Sequence, residues 1–271
     1  MPELPEVETT RRGLLTFIKG RTITGVSVRN RRLRWPTPRN LKSQLTDKIL
    51  RDISRRGKYL LFTFDNGHMI VHLGMSGSLR ISDASAQLRK HDHLIWQFSD
   101  NRELRYHDPR RFGSVHWTTN EPSSHSLLSG LGVEPLSEEF NGEYLLSAGG
   151  NRKVAVKNFI MNSHIVVGVG NIYANEALFV AGIHPKRPVN SLNPQQFNRL
   201  SGAIKNTLDA AIQQGGTTLR DFVNESGNPG YFYQQLRVYD RKNQPCKHCG
   251  KKIEMEVIGQ RASYFCPNCQ S

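Results

Sequence analysis

The stretches Cys246-Lys247-His248-Cys249 and Cys266-Pro267-Asn268-Cys269, separated by sixteen residues, decide the architecture of the C-terminal end of the chain. Two cysteine pairs at this spacing put four thiolates on two knuckle-like turns, the pattern of a four-cysteine zinc site. A closed shell of four thiolates leaves no open coordination position, so one Zn2+ at Cys246, Cys249, Cys266 and Cys269 is expected to be structural, and catalysis must come from elsewhere. Basic Lys247, Lys251, Lys252 and Arg261 lie within the same module. These are the only four cysteines in 271 residues, which excludes a disulfide framework distributed along the chain. A ribbon of this kind names no function by itself.

Working outward, charge supplies the next constraint. Lysine and arginine number 37 against 23 aspartate and glutamate, a net charge of +14. The summed field attracts polyanions, and nucleic acid is the expected partner. A protein of the membrane surface would also show a basic amphipathic helix or a lipidation signal, and neither is present. No apolar run reaches the roughly 18 residues of a membrane span, and the first thirteen residues lack the apolar region of a signal peptide. A cytoplasmic location is therefore expected.

The charge falls into three blocks: residues 1–111 carry 22 basic and 11 acidic side chains, residues 112–151 none and 5, and residues 152–271 carry 15 and 7. Two basic lobes thus flank an acidic connector rich in Ser, Gly and Pro, which suits a hinge. The expected division is 1–117, a connector 118–151, a helical domain 152–238 and a cysteine module 239–271. Within the first lobe a helix is expected over 5–18. β patterns follow at 22–28, 59–64, 69–73, 94–98 and 114–117, and Asp65-Asn66-Gly67 is a hairpin signal. A β-sandwich or barrel results. In the second lobe Pro194 sits at a first helical position, Phe197, Leu200, Ile204 and Leu208 recur at spacings of three and four, and Gly215-Gly216 ends the pattern.

The amino terminus reads Met1-Pro2-Glu3-Leu4-Pro5-Glu6-Val7-Glu8. Proline and carboxylates near the positive end of a helix dipole are ordinary helix-starting chemistry. A second reading is chemical. If Met1 is removed, Pro2 presents a secondary amine able to form a charged Schiff base at a carbonyl-level carbon. An α-amino group has a reference pKa of about 8 against about 10.4 for lysine, so it is the better-poised nucleophile near neutrality. Glu3 and Glu6 are placed to shuttle protons, and a cation such as Lys58 opposes the rise in amine pKa that their charge would cause.

Further motifs occur in order along the chain: Arg55-Arg56-Gly57-Lys58-Tyr59-Leu60, His72-Leu73-Gly74-Met75-Ser76-Gly77, His107-Asp108-Pro109-Arg110-Arg111-Phe112-Gly113 and Gly168-Val169-Gly170-Asn171-Ile172-Tyr173. With the amino terminus and the cysteine ribbon, they closely resemble bacterial formamidopyrimidine-DNA glycosylases over essentially the full chain. Leu4, where the endonuclease VIII-like sister group begins with Gly, favours the purine-specific branch.

The resemblance implies an α+β multidomain fold, with an N-terminal β-sandwich carrying a leading helix and a C-terminal helix-two-turn-helix domain ending in the four-cysteine zinc ribbon. It places that motif's helices at 154–162 and 172–181, and duplex DNA in a basic cleft between the lobes. The implied activity is that of a monomeric, nucleoid-associated bifunctional glycosylase and AP lyase acting on 8-oxoguanine and formamidopyrimidines in double-stranded DNA. Pro2 would be the nucleophile, Glu3 the principal proton shuttle, Glu6 secondary, and Lys58 electrostatic support.

Base flipping leaves a void, and Met75, Arg110 and Phe112 match the family's inserted triad. Read singly, Met75 and Phe112 are also ordinary core residues and Arg110 an ordinary surface cation. Lys58, His72, Asn171 and Arg261 match phosphate-gripping positions, and residues 217–233 match a loop closing over the damaged base. Two alternatives stand beside this reading: an endonuclease VIII-like enzyme for oxidised pyrimidines, and a catalytically silent DNA-binding zinc protein.

Overall fold

The computed structural model describes residues 2–217 and 232–271. The chain divides into two compact units, residues 1–129 with 214–233, and residues 130–213 with 234–271.

The first unit opens with α1 (Leu4–Ile18), with Pro5 in its first turn, where a missing N–H is no loss. Leu4, Val7, Leu14 and Ile18 form its buried face, at helical spacing. After α1 come β1 (Ile23–Val28), the short α2 (Leu41–Leu45), β2 (Asp52–Arg56), β3 (Tyr59–Phe64), β4 (Gly67–His72), β5 (Ser78–Asp83), β6 (Asp92–Phe98), β7 (Arg102–His107) and β8 (Ser114–Thr118). They make two antiparallel four-stranded sheets, in the orders β1-β6-β7-β5 and β2-β3-β4-β8. Val26, Trp96 and Leu104 of one sheet and Phe62, Val71 and Val115 of the other share one hydrophobic cluster with Val7 and Leu14 of α1. This is the expected sandwich with its leading helix.

Three strands lie outside the sequence expectation. β2, β5 and β7 carry too many charges to read as alternating strands, because several of those charges are buried in pairs. Arg80 of β5 meets Asp92 of β6 at 2.7 Å, and Arg105 of β7 donates to Glu103 at 2.8 Å. Buried charges need such partners, and here other parts of the same sheet supply most of them. The expected hairpin forms between β3 and β4, with Phe64 opposite Gly67. The left-handed torsion falls on Gly67 (φ 147°) rather than on Asn66, and a Cβ there would lie 2.5 Å from the Thr118 carbonyl oxygen.

The second unit contains α3 (Gly142–Gly149), α4 (Val156–Ile160), α5 (Asn171–Ala181), α6 (Pro194–Gln213), β9 (Glu254–Ile258) and β10 (Arg261–Phe265). α6 packs against α3 and α5, burying Phe197, Leu200, Ile204 and Leu208. It starts at Pro194, and Gly215 and Gly216 follow it at φ 74° and 82°. The acidic connector differs from the irregular hinge expected of its composition. The division between units falls after Ser129, and α3 is capped by Asn141, whose side chain accepts the Tyr144 N–H at 2.9 Å. Phe140 and Leu145 are buried. α4 is shorter than the expected 154–162, and α5 begins one residue early, at Asn171. Among the described residues no helix is long and apolar enough to cross a membrane.

Candidate active site and zinc centre

The head of α1 carries three of the four residues expected to be catalytic, Pro2, Glu3 and Glu6. Pro2 is buried, and Glu3 and Glu6 are 2% and 1% exposed. Glu6 turns back along the first turn: its carboxylate accepts the Glu3 N–H at 2.8 Å, and its other oxygen accepts the Thr217 N–H at 2.8 Å and hydroxyl at 3.0 Å. Glu6 therefore holds the backbone next to Pro2, a positioning geometry.

One turn on, Glu8 anchors α1 to the sheet. It accepts from Arg11 at 2.7 Å, Arg12 at 2.8 Å and Arg55 of β2 at 3.2 Å. Burial alone would raise its pKa; the hydrogen bonds from Arg11 and Arg12 and the charges of Arg11 and Arg55 outweigh that and bring it down to about 2. Arg55 also donates to the Gly57 carbonyl at 2.9 Å. Gly57 (φ 55°) and Lys58 form the two-residue turn between β2 and β3, so the Glu8–Arg55 pair links α1 to the turn that carries Lys58.

β3 and β4 pair Tyr59 with His72, their rings 4.8 Å apart. Lys58 and His72 are thereby brought to the same end of the sheet. Burial, followed by the nearby charges of Lys58 and Arg34, pushes the His72 pKa down to about 4. The ring is neutral at pH 7. Its Nδ1 accepts the Gly74 N–H at 3.1 Å, which leaves the proton on Nε2 as a donor.

The Met75 loop and the Arg110–Phe112 loop lie side by side. Gly74 has φ 69°, and a Cβ on it would sit 2.5 Å from the Phe112 carbonyl carbon. Arg110 is exposed with its guanidinium 4.9 Å from the centre of the Phe112 ring, itself 44% exposed; Met75 is half-buried. Asp108, fully buried between the loops, accepts from Ser76 Oγ at 2.9 Å, Gly113 N–H at 2.9 Å and Tyr106 hydroxyl at 3.2 Å. Sequence reasoning misses this residue although it lies inside the motif containing Arg110, since only the partners 32 residues upstream reveal its role.

In the second unit, α5 begins with Asn171, whose Nδ2 donates to the Ala262 carbonyl at 3.1 Å. The buried Lys157 of α4 donates to that carbonyl at 2.8 Å and to Ser263 Oγ at 2.6 Å, and Asn175 Oδ1 accepts the Tyr264 N–H at 2.7 Å. Together these groups hold β10, whose first residue is the exposed Arg261, against the start of α5. Gly259 (φ 55°) and Gln260 (φ 63°) make the two-residue turn preceding it. Glu176, one turn further along α5, accepts backbone N–H bonds from Arg237, Val238 and Tyr239 at 2.8, 2.9 and 2.8 Å. Burial lifts its pKa above the usual range despite those donors. Lys157, Asn175 and Glu176 carried no sequence signal, because isolated polar residues in apolar helices acquire meaning only from what they face. Of the expected loop 217–233, residues 218–231 lie outside the described residues.

The sulfur atoms of Cys246, Cys249, Cys266 and Cys269 all lie within 4.8 Å of one another. Tetrahedral Zn2+ with bonds of about 2.3 Å needs sulfurs about 3.8 Å apart. The Cys249–Cys266 and Cys246–Cys269 separations of 3.4 and 4.0 Å bracket that value. The donor set fits one structural zinc.

Models of three family domains match in order: the formamidopyrimidine-DNA glycosylase N-terminal domain over residues 1–115, its H2TH domain over 131–223, and the zinc finger found in FPG and IleRS over 243–271. Formamidopyrimidine-DNA glycosylase of Methylococcus capsulatus is 57% identical over 270 residues, covering 100% of both chains. That of Hydrogenovibrio crunogenus is 53% identical, covering 100% of this chain and 96% of its own. Among solved structures, a point mutant of Lactococcus lactis FPG in complex with Fapy-dG containing DNA superposes with a TM-score of 0.93 at 34% identity, covering 100% of both chains. The MutM (FPG) protein of Thermus thermophilus gives 0.87 at 34% identity, covering 99% of this chain and 98% of its own.

A β-sandwich led by a helix, a helix-two-turn-helix module and a four-cysteine finger define a zinc-finger DNA glycosylase of base excision repair. The chain belongs to the formamidopyrimidine-DNA glycosylase family.

Proposed function

We propose that the protein is a bifunctional glycosylase and AP lyase that removes 8-oxoguanine and formamidopyrimidines from double-stranded DNA, with Pro2 as nucleophile. The observation that carries this reading is the head of α1, where Pro2 adjoins two buried carboxylates, one of which pins the backbone of the other. With Met1 removed, the Pro2 nitrogen attacks the sugar C1′, the C1′–N bond to the base breaks, and the base leaves with a proton delivered through Glu3. Pro2 gives up its N–H proton and the C1′–O4′ bond opens, O4′ leaving as a hydroxyl, so that the iminium formed at C1′ makes the C2′ hydrogen acidic. Its loss expels the 3′ phosphate by β-elimination, and a second elimination expels the 5′ phosphate. Glu6 holds the Glu3 backbone, and Lys58 stabilises developing negative charge on the sugar and phosphate.

In the same reading Met75, Arg110 and Phe112 fill the space left by the flipped base. Lys58, His72, Asn171 and Arg261 contact phosphates, His72 as a neutral donor through Nε2. Residues 1–117 act as the catalytic domain, 152–238 grip DNA and 239–271 form the finger. A cytoplasmic, nucleoid-associated monomer fits this role.

Borohydride trapping on an 8-oxoguanine:cytosine duplex tests the reading. Intact mass should show one covalent DNA adduct at the amino-terminal peptide, and Pro2→Gly should lose most lyase activity. Cross-linking through that peptide in protein shown to retain Met1 would overturn the mechanism. Competition with a thymine glycol duplex separates the purine enzyme from a pyrimidine-specific one, and a complete lack of adduct would leave a silent binding protein.

A further inference from the structure

We propose that Asp108 is a positioning residue that locks the 73–77 and 109–113 loops into one unit and thereby sets the opposite-base preference exercised by Arg110. The inference rests on the assignment of Met75, Arg110 and Phe112 to the void and extends it to a residue that does not face DNA. Asp108 is fully buried, and its two oxygens divide between the loops. One accepts from Ser76, the neighbour of Met75, at 2.9 Å, and the other accepts the N–H of Gly113, the neighbour of Phe112, at 2.9 Å. Ser76 Oγ in turn accepts the Arg110 N–H at 3.3 Å, so the carboxylate reaches the neighbours of Met75 and Phe112 directly and the Arg110 backbone through Ser76.

The packing leaves no slack around this link. Side chains on Gly77 or Gly113 would run into the Tyr106 hydroxyl, and that hydroxyl itself donates to Asp108 at 3.2 Å. Arg110 and Phe112 are exposed, so the loop backbone largely fixes where they point. A base-edge hydrogen bond tolerates about 0.5 Å of misplacement, and the loop backbone is what supplies that tolerance.

An amide cannot replace the carboxylate. Asp108→Asn turns an NH2 group towards either the Gly113 N–H, which cannot accept, or Ser76, whose own hydroxyl hydrogen then loses its acceptor. Ser76→Ala removes the bridge without adding a buried donor. Single-turnover rates on 8-oxoguanine paired with cytosine and with adenine, with melting temperature recorded alongside, test the proposal. Both variants should narrow the cytosine-to-adenine rate ratio by on the order of tenfold, the discrimination of one base-edge contact. Trapping on a single-stranded abasic oligonucleotide, which has no opposite base, should stay near wild type. An unchanged ratio in folded Ser76→Ala protein overturns the proposal, as does a proportional fall of both rates or a wild type with no cytosine preference. Loss of trapping in the wild type itself would instead overturn the functional reading.

Discussion

The carboxylate of Glu6 ties the head of α1 to Thr217 across 211 residues of sequence, accepting both its N–H and its hydroxyl at 2.8 and 3.0 Å. Because the same carboxylate also accepts the Glu3 N–H, Glu6→Gln must turn its NH2 group towards one of two backbone N–H donors. One buried N–H left unsatisfied costs about 1–3 kcal/mol, and urea unfolding should show a loss of that size. Trapping should slow by tenfold or more through misplacement of Pro2 and Glu3. Wild-type stability and trapping in this variant would show that the link is idle.

Glu8 makes stability depend on acid pH. Its folded pKa of about 2 lies below the ordinary 4.5, so its contribution is present above pH 4.5 and is lost as the pH falls through about 2. A shift of this size corresponds to about 3 kcal/mol. Glu8→Gln should therefore be less stable than wild type at pH 7, with the difference shrinking in denaturant titrations as the pH falls from 5 to 3. A difference that stays constant over that range would mean that the Arg11, Arg12 and Arg55 contacts do not hold the charge.

Phosphate contacts should appear as salt dependence, with log K falling by about 0.9 per neutralised phosphate for each unit of log salt. Lys58→Ala and Arg261→Ala should each flatten the slope by about one unit. His72→Ala should weaken binding yet leave the slope unchanged at pH 7, because its ring is neutral there. Equal slopes for wild type and Lys58→Ala, or a flattened slope for His72→Ala, would contradict these assignments.

Zinc analysis should give one metal per chain. Cys249→Ser should lower zinc content and DNA affinity together, through disorder of the ribbon that carries Arg261. It should leave borohydride trapping at saturating DNA largely intact, since the metal takes no part in the chemistry. A zinc-free variant with normal affinity would remove the structural role.

The amino-acid sequence by itself determined the features whose physics is local. The cysteine pairs announce their metal through spacing alone. α6 is marked by Pro194, by apolar residues at intervals of three and four, and by the glycines that end it; the β3–β4 hairpin is marked by its turn residues. The candidate site residues were legible through short motifs, because each motif packs several chemically distinctive residues into a few consecutive positions.

The tertiary structure alone decided which polar groups are paired inside. β5 and β7 look too charged for strands until Arg80 meets Asp92 and Arg105 meets Glu103. Glu8 reaches Arg55 across 47 residues, Asp108 reaches Ser76 across 32, and Lys157 reaches Ser263 across 106. A buried charge or amide is tolerable only when a partner satisfies it, and a partner tens of residues away leaves no periodicity or local spacing to read. Sequence neighbours thus set the elements and the metal, while distant hydrogen-bond partners set the positions from which the site residues act.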